Sequence, residues 1–390
     1  MDAIFRGYKW DPQYFDNNTI AKHVLIISEK EHQELAQLTE KLTQETISSE
    51  RFLVKNLRLS KNLKILKKLK KYLSLLKNYN SDNNIRLMRF DFHPIENGGW
   101  AISEVNSDVP GGFAESSILP QIALDLLKDS KLYFKSFSEV LVSEITKLIK
   151  PGGTIAFIHC TSYSDDRQMM QVLGDKLKLL NYKIIYAAAD HLKFVNRKAF
   201  CVLDNNEGEI DMIFRFTPLE WMLAIKKQKC WHGYFNTSTP SCNHPVSIFT
   251  QTKRFPLIWD LLENNEIDLN TWRALLPETL DVRKSKNKAD FIYKPTYGRV
   301  GEGISIREAC KPDEYSKILK HVKRKPNQYI AQKRFAAKAL TCERGEKFHV
   351  CLGAYSINGK AAGYYARLGS TPRIDSNSAD IPVLIERSKK

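Results

Sequence analysis

Two runs of alternating apolar and polar residues, Ile85 to Phe92 and Trp100 to Asn106, flank a polar segment that contains Asn97-Gly98-Gly99. A period of two predicts strands, and an Asn-Gly step between them predicts a β-hairpin. Side chains two apart on a strand share a face. Arg89 and Asp91 therefore point one way and Phe90 and Phe92 the other. Glu104 and Asn106 share a face, with Val105 behind. A fold-back near Asn97-Gly98 brings Asp91 and Glu104 opposite each other. The loop Ser107 to Gly112, with Pro110-Gly111-Gly112, follows.

The remaining pattern predicts an α/β (α+β) chain. Residues 29–48 read as a helix ending near Ser48-Ser49. Residues 50–77 read as a second, basic helix with Leu57, Leu63, Leu66, Leu69, Leu73 and Leu76 on its apolar side. Helices are expected at 113–128 and 133–149, stopped by Pro151-Gly152-Gly153. A strand at 154–159, a helix from about Asp166 to Leu180 and a strand at 183–187 make a β-α-β unit. A hairpin is expected between 200–203 and 210–214. Later come a strand at 291–294, a strand at 304–306, a helix near 312–324 and a strand at 328–332. A last hairpin, 348–356 with 360–368, turns at Asn358-Gly359.

Composition alters this picture little. At 390 residues, 43% hydrophobic and 27% charged, the chain can form two or three domains with real cores. No run of 18 apolar residues exists and the first ten residues lack an apolar signal core, so no membrane span is expected. Seven scattered cysteines fit a reducing cytoplasm better than a disulfide framework. Ten of the sixteen net positive charges come from residues 51–77, which hold ten Lys and Arg and no acid. The charge is thus local. The simplest reading is a surface segment with its leucines inward, against a membrane or nucleic-acid helix.

Chemistry concentrates in the first hairpin. Two carboxylates and an amide oxygen on one face are hard ligands suited to Mg²⁺, and Arg89 suits a phosphate or carboxylate. The alternative is a solvated face with Arg89 paired to Asp91. No glycine-rich dinucleotide fingerprint, Walker loop, H-E-x-x-H or G-x-S-x-G motif occurs. The turn Gly298-Arg299-Val300-Gly301-Glu302-Gly303 after Lys294-Pro295 can close backbone N–H groups over phosphates. Cys230, His232, Cys242 and His244 have an unusual C-x-H spacing and are not expected to bind zinc.

In order along the chain, Arg89-Phe90-Asp91-Phe92, Glu104-Val105-Asn106, Pro110-Gly111-Gly112, Thr250 to Trp259, Leu276-Pro277-Glu278-Thr279, Lys294-Pro295 with its glycine loop, and Gly363 to Arg367 resemble the synthetase domain of glutathionylspermidine synthetase and its relatives. The resemblance spans about Arg6 to Ile385, with no room before Arg6 for the amidase domain of the bifunctional members. It implies an ATP-grasp fold with permuted motif order, metal acids before phosphate lysines, plus a Rossmann-like pre-ATP-grasp α/β unit. It implies Mg²⁺ ligation by Asp91, Glu104 and Asn106, and ATP contacts from Lys253, Lys294, Gly298, Arg299, Gly301, Gly303 and Gln332. Arg89 and Arg367 are implied as catalytic. The expected layout is an N-terminal segment 1–84, a metal hairpin and helix 85–130, a pre-ATP-grasp-like unit 150–245 and a nucleotide lobe 246–390.

The implied function is a cytoplasmic ATP-dependent ligase joining a small-molecule or peptide carboxylate to an amine through an acyl phosphate. No nucleic-acid or membrane partner is expected. A carboxylate kinase using the same nucleotide site is the alternative within the enzyme class. A non-catalytic basic adaptor for nucleic acid or membrane is the alternative outside it, and it leaves the acid and lysine motifs unexplained.

Overall fold

The hairpin folds with the expected register. In the computed structural model, which describes residues 1–9, 13–14, 17–225, 231–285, 290–299 and 301–388, strands Leu87–Pro94 and Trp100–Asn106 pair antiparallel. Arg89 faces Asn106, Phe90 faces Val105 and Asp91 faces Glu104. One step on, Phe92 faces Ile102, so Ser103 is an extra residue and the strand bulges there. Gly98 and Gly99 both have positive φ at the tip, as a tight reversal requires.

This hairpin is one edge of an antiparallel sheet. Strand Leu87–Pro94 pairs with Lys347–Ile357, which pairs with Lys360–Gly369 and then Ala379–Ile381. The Asn358-Gly359 turn has φ of 49° and 87°, the left-handed pair that suits the strand twist. Phe90 and Phe92 are fully buried beneath the sheet. The helix Glu29–Lys55 packs on the same side and buries Leu35, Leu42 and Leu53.

A second sheet is parallel, in the order Ser241–Cys242, Met212–Arg215, Thr154–Ile158, Lys183–Ala187. Helix Ser164–Leu179 crosses between the last two strands, the expected β-α-β unit. A third sheet orders Thr279–Asp281, Tyr329–Lys333 and Phe291–Pro295, all antiparallel. Leu25–Ser28 pairs with Val383–Glu386, tying early residues to late ones. Helices Glu115–Leu127 and Phe137–Leu148 occupy the two predicted segments.

Four expectations need correction. The first helix does not stop at Ser48-Ser49. It starts at a Ser28–Glu31 capping box and runs to Lys55 because its buried face continues through Thr46, Ser49, Glu50 and Leu53, where Thr43, Thr46 and Ser49 satisfy their buried hydroxyls on carbonyls four residues back. The basic stretch is not one helix but short turns, Leu57–Leu63, Lys67–Lys70 and Leu73–Asn78. Lysines three and four apart without acid partners repel along a continuous helix. Separate turns still bury Leu63, Leu69, Leu73 and Leu76 while Lys61, Lys64, Lys67 and Lys68 stay exposed.

The hairpin expected at 200–214 forms only in part. Lys198–Cys201 pairs with Leu192–Val195 and with Gly208–Glu209, whereas Met212–Arg215 joins the parallel sheet. All four residues of Met212–Arg215 are buried, which a two-faced sheet interior demands. Finally, residues 304–306 form no strand. Ser305 instead bonds Tyr293 in both directions, by its N–H to the carbonyl and by its hydroxyl to the N–H. Among the described residues no helix is long and apolar enough to cross a membrane.

Candidate active site

Strand register builds the floor of the site. Directly paired residues share a face, and Glu104, Asp91, Gly353 and Tyr365 form one row across four strands. Asn106, Arg89 and Tyr355 form the row beside it. Cys351, Arg367 and Asp380 form the row on the other side. The bare Gly353 is needed here: a Cβ would stand 2.6 Å from Arg89 Cδ. Arg89 therefore lies flat on the sheet and grips Asp91 with two hydrogen bonds, Nε to Oδ1 at 2.7 Å and Nη2 to Oδ2 at 3.0 Å. Its Nη1 donates to Gly111 O at 2.9 Å. Asn106 Nδ2 donates to Asp91 Oδ2 at 3.1 Å. Asp91, Glu104 and Asn106 thus meet, as their strand faces predicted, and present oxygen donors of the type Mg²⁺ takes.

Two lysines face this row. Lys253 Nζ lies 2.8 Å from Glu104 Oε2 and donates to Gly298 O at 2.7 Å. Lys294, buried at the end of strand Phe291–Pro295, donates to Ser103 O at 3.0 Å. The bulge residue Ser103 is thus the landing point for the second lysine.

Electrostatics follow from the spacing. Burial holds the Asp91 carboxyl above its ordinary range despite Arg89, and the Glu104 charge adds to the effect. Burial acts the same way on Glu104, but Lys253 and Lys294 outweigh it and hold that carboxyl low. Lys294 is pushed down to about 8, by burial first and by the Lys253 charge as well. Burial and Lys294 keep His93 neutral, near 3.

The rim is anchored from behind. Gln251 Oε1 accepts from Ser107 N and Asp108 N, each at 2.8 Å, immediately after Asn106 and two residues before Lys253. Glu50 accepts from Arg86 through both oxygens, and Arg86 in turn bonds Ser107. Thr250 also bonds Glu50. Sequence reasoning missed Gln251 and Glu50, since only tertiary contact links them to the hairpin.

The other expected residues are spread more widely. Arg299 faces the cavity but donates to Glu220 Oε1 from Nε (3.1 Å) and Nη2 (2.7 Å). Gly301 and Gly303 have positive φ, and a Cβ on Gly301 would lie 2.6 Å from Ile374 O. Val300 lies outside the described residues. Gln332 Nε2 donates to Thr279 Oγ1 at 3.0 Å, and its Oε1 is buried without a hydrogen-bond partner among the described residues. It borders a small apolar slot with Phe255, Trp272, Leu276 and Ile330, next to Lys253 and Lys294. Arg367 donates to Ser378 O and Asp375 O.

Arg89, Asp91, Glu104, Asn106, Lys294 and Arg367 all line one cavity of about 520 Å³, a size that suits a small ligand. Its far end was invisible in the sequence. There Lys9 Nζ bonds Glu115 Oε1 at 2.7 Å and Asp380 Oδ2 at 3.1 Å. Thr19, Glu115 and Arg367 line this cavity, and their Oγ1, Oε2 and Nε atoms are buried without a hydrogen-bond partner among the described residues, Arg367 Nε standing 4.0 Å from Asp380 Oδ1.

The C-x-H residues lie elsewhere. Cys242 is buried in the parallel sheet, and His244 packs on Tyr79 and accepts from Val246 N. His232 stacks on Tyr72. Cys230 lies outside the described residues.

A sequence model of the glutathionylspermidine synthase pre-ATP-grasp family matches residues 4–386. No curated protein matches the chain significantly. Among solved structures, a glutathione synthetase-like effector from Globodera pallida in apo form matches with a TM-score of 0.64 at 12% identity, over 93% of this chain and 89% of that one. A putative gamma-glutamylcysteine synthetase from Methylobacillus flagellatus matches at 12% identity with a TM-score of 0.45, over 87% of this chain and 88% of that one. At that identity the first likeness is one of fold, and the second is too distant to carry weight.

Proposed function

The chain belongs to the glutathionylspermidine synthase pre-ATP-grasp family, and from that premise we propose that it is an ATP-dependent carboxylate–amine ligase. Its fold is α+β of the ATP-grasp type. The observation that carries the reading is the opposed pair Asp91 and Glu104 with Lys253 and Lys294 facing it, at the edge of a cavity that also holds Arg89 and Arg367.

In this reading Lys253 and Lys294 hold the terminal phosphates of ATP, and the glycine loop 298–303 covers them. Asp91, Glu104 and Asn106 present the donors for Mg²⁺, whose charge would offset that of the phosphates. The slot beside Gln332 is the proposed adenine site. The working nucleotide lobe is then the part of 246–390 that carries Lys253 and the strands Phe291–Pro295 and Tyr329–Lys333. The unit 150–245 and the segment 1–84 pack around it.

The reaction needs little covalent help. A substrate carboxylate oxygen attacks the γ-phosphorus and ADP leaves, giving an acyl phosphate. The amine then attacks the acyl carbon, phosphate leaves, and the nitrogen loses a proton. Arg89 and Arg367 hold the carboxylate and its oxyanion, which guanidinium fits in shape and charge. No side-chain nucleophile is required, which agrees with the absence of one from the motifs. Thr19, Glu115 and Arg367 line the part of the cavity proposed to take a polar substrate. The glycyl carboxylate of a peptide such as glutathione is the first acid to try, on family grounds.

The test is incubation with ATP, Mg²⁺ and a panel of peptides, amino acids and polyamines, followed by identification of the nucleotide and the organic product. ADP, phosphate and an amide are expected. AMP with pyrophosphate, or ADP with a phosphorylated acid and no amide under any amine, would overturn the reading.

A further inference from the structure

Away from the cavity, three potential ligands converge from segments distant in sequence. His23 lies just before strand Leu25–Ser28. Cys342 and Glu346 flank the turn that joins Leu340–Thr341 to Lys347–Ile357. That turn is closed by Cys342 N–H to Glu346 O and Gly345 N–H to Cys342 O, both 2.9 Å, with Gly345 at φ of 84°. The backbone therefore sets the two side chains facing each other. Cys342 Sγ is 3.8 Å from Glu346 Oε2, and His23 Nε2 is 3.9 Å from the same oxygen. All three donor atoms lie within 4.8 Å of one another. Phe348 packs beside the His23 ring, with centroids 5.2 Å apart.

We propose that His23, Cys342 and Glu346 form a second cation site, for zinc, which clips the segment before Leu25 to the 342–346 turn. The spacing is the first argument. Tetrahedral zinc with bonds of about 2.0 Å to N and O and about 2.3 Å to S sets its ligands roughly 3.3 to 3.5 Å apart. The gaps of 3.8 and 3.9 Å to Glu346 need a contraction of about half an ångström, within rotamer adjustment of the exposed Glu346, and the third, His23 to Cys342, at most 4.8 Å, needs a contraction of up to about 1.3 Å from those two side chains. The second argument is that the three satisfy one another only weakly: Cys342 Sγ donates one long, weak hydrogen bond to Glu346 Oε2, and the His23 nitrogen 3.9 Å from the same oxygen makes none. The third is ligand chemistry. Thiolate with imidazole selects zinc over magnesium, while the all-oxygen set of Asp91, Glu104 and Asn106 does the reverse. Three protein ligands leave a fourth position for water. Binding releases the Cys342 proton, and the clip stabilises the folded chain because it closes a long loop.

The test uses the full chain, stripped of metal and titrated with Co²⁺ as a spectroscopic stand-in for zinc. A thiolate-to-cobalt charge-transfer band should grow to one equivalent and vanish when Zn²⁺ is added. Cys342→Ser should lose the band, His23→Ala should weaken cobalt binding at least tenfold, and Asp91→Asn should keep the band. Zn²⁺ should raise the Tm of the wild type and leave that of Cys342→Ser unchanged, which also verifies that the variant folds. No band in the wild type, a band that persists in Cys342→Ser, or one lost in Asp91→Asn overturns the proposal. None of these outcomes depends on ligase activity.

Discussion

Asp91 and Glu104 stand directly opposite each other across the hairpin, yet their carboxyl groups are displaced in opposite directions. Burial holds Asp91 up against its Arg89 partner. Lys253 and Lys294 pull Glu104 down. A divalent cation between them would relieve the repulsion that both feel. Asp91→Asn and Glu104→Gln should each lower turnover at least about 100-fold, the scale of losing one preorganised electrostatic contact. Each should also abolish the rise in Tm that ATP with Mg²⁺ produces in the wild type. Asp91→Asn leaves the Arg89 charge poorly matched and should cost on the order of 3 kcal/mol of stability, read by urea unfolding. Wild-type turnover in either variant would remove the metal assignment.

Lys294 gives a pH signature. Its ammonium is disfavoured in the fold, from an ordinary 10.5 to about 8. The folded chain therefore loses this proton before the unfolded chain does. The resulting penalty is fully present below pH 8 and fades as pH rises from 8 toward 10.5. At 1.36 kcal/mol per unit it amounts to roughly 3 kcal/mol. Lys294→Met should thus be more stable than wild type at pH 7, with the difference shrinking by pH 10. The same variant should raise the apparent KM for ATP, lower kcat, or both. Parallel stability curves for the two proteins across that range would contradict the assignment.

Gln251 is a positioning residue. Its one carbonyl oxygen takes both N–H groups that follow Asn106. Gln251→Ala leaves two buried donors unpaired and should cost about 2 to 4 kcal/mol. Under the proposed function it should lower kcat more than it changes the KM for ATP, because it shifts Asn106 more than it shifts Lys253 and Lys294, the proposed phosphate ligands. Gln251→Glu retains an acceptor oxygen and should recover most of the kcat. Failure of that variant to recover it would reduce Gln251 to a stability role.

Arg299 is paired with Glu220, and under the proposed function that pair would compete with phosphate for the guanidinium. Glu220→Gln should free Arg299 and lower the apparent KM for ATP a few-fold. Arg299→Ala should raise it. Steady-state kinetics at varied ATP decide between this and a purely structural latch, in which both variants would move KM the same way.

The sequence by itself determined what depends on local period and neighbouring residues. Alternation fixed the faces of Arg89, Asp91, Glu104 and Asn106, and Asn97-Gly98 placed the reversal, but that register alone would pair Asp91 with Ser103, and the bulge at Ser103 is what sets Glu104 opposite Asp91. The Asn358-Gly359 hairpin and the first β-α-β unit were legible for the same reason. The order of the motifs carried the family, and through it the fold.

Tertiary structure decided the rest. Pattern alone could not tell that Met212–Arg215 leaves its apparent hairpin for a parallel sheet, because strands buried on both faces lack alternation. Nor could it show that the leucines of 57–76 are buried by separate turns, since unpaired lysines break a helix whose apolar spacing still looks helical. The bulge at Ser103 that receives Lys294, the Gln251 brace and the Lys9–Glu115–Asp380 end of the cavity join residues far apart in the chain. Such contacts have no period, and packing alone selects them from the many that the sequence allows.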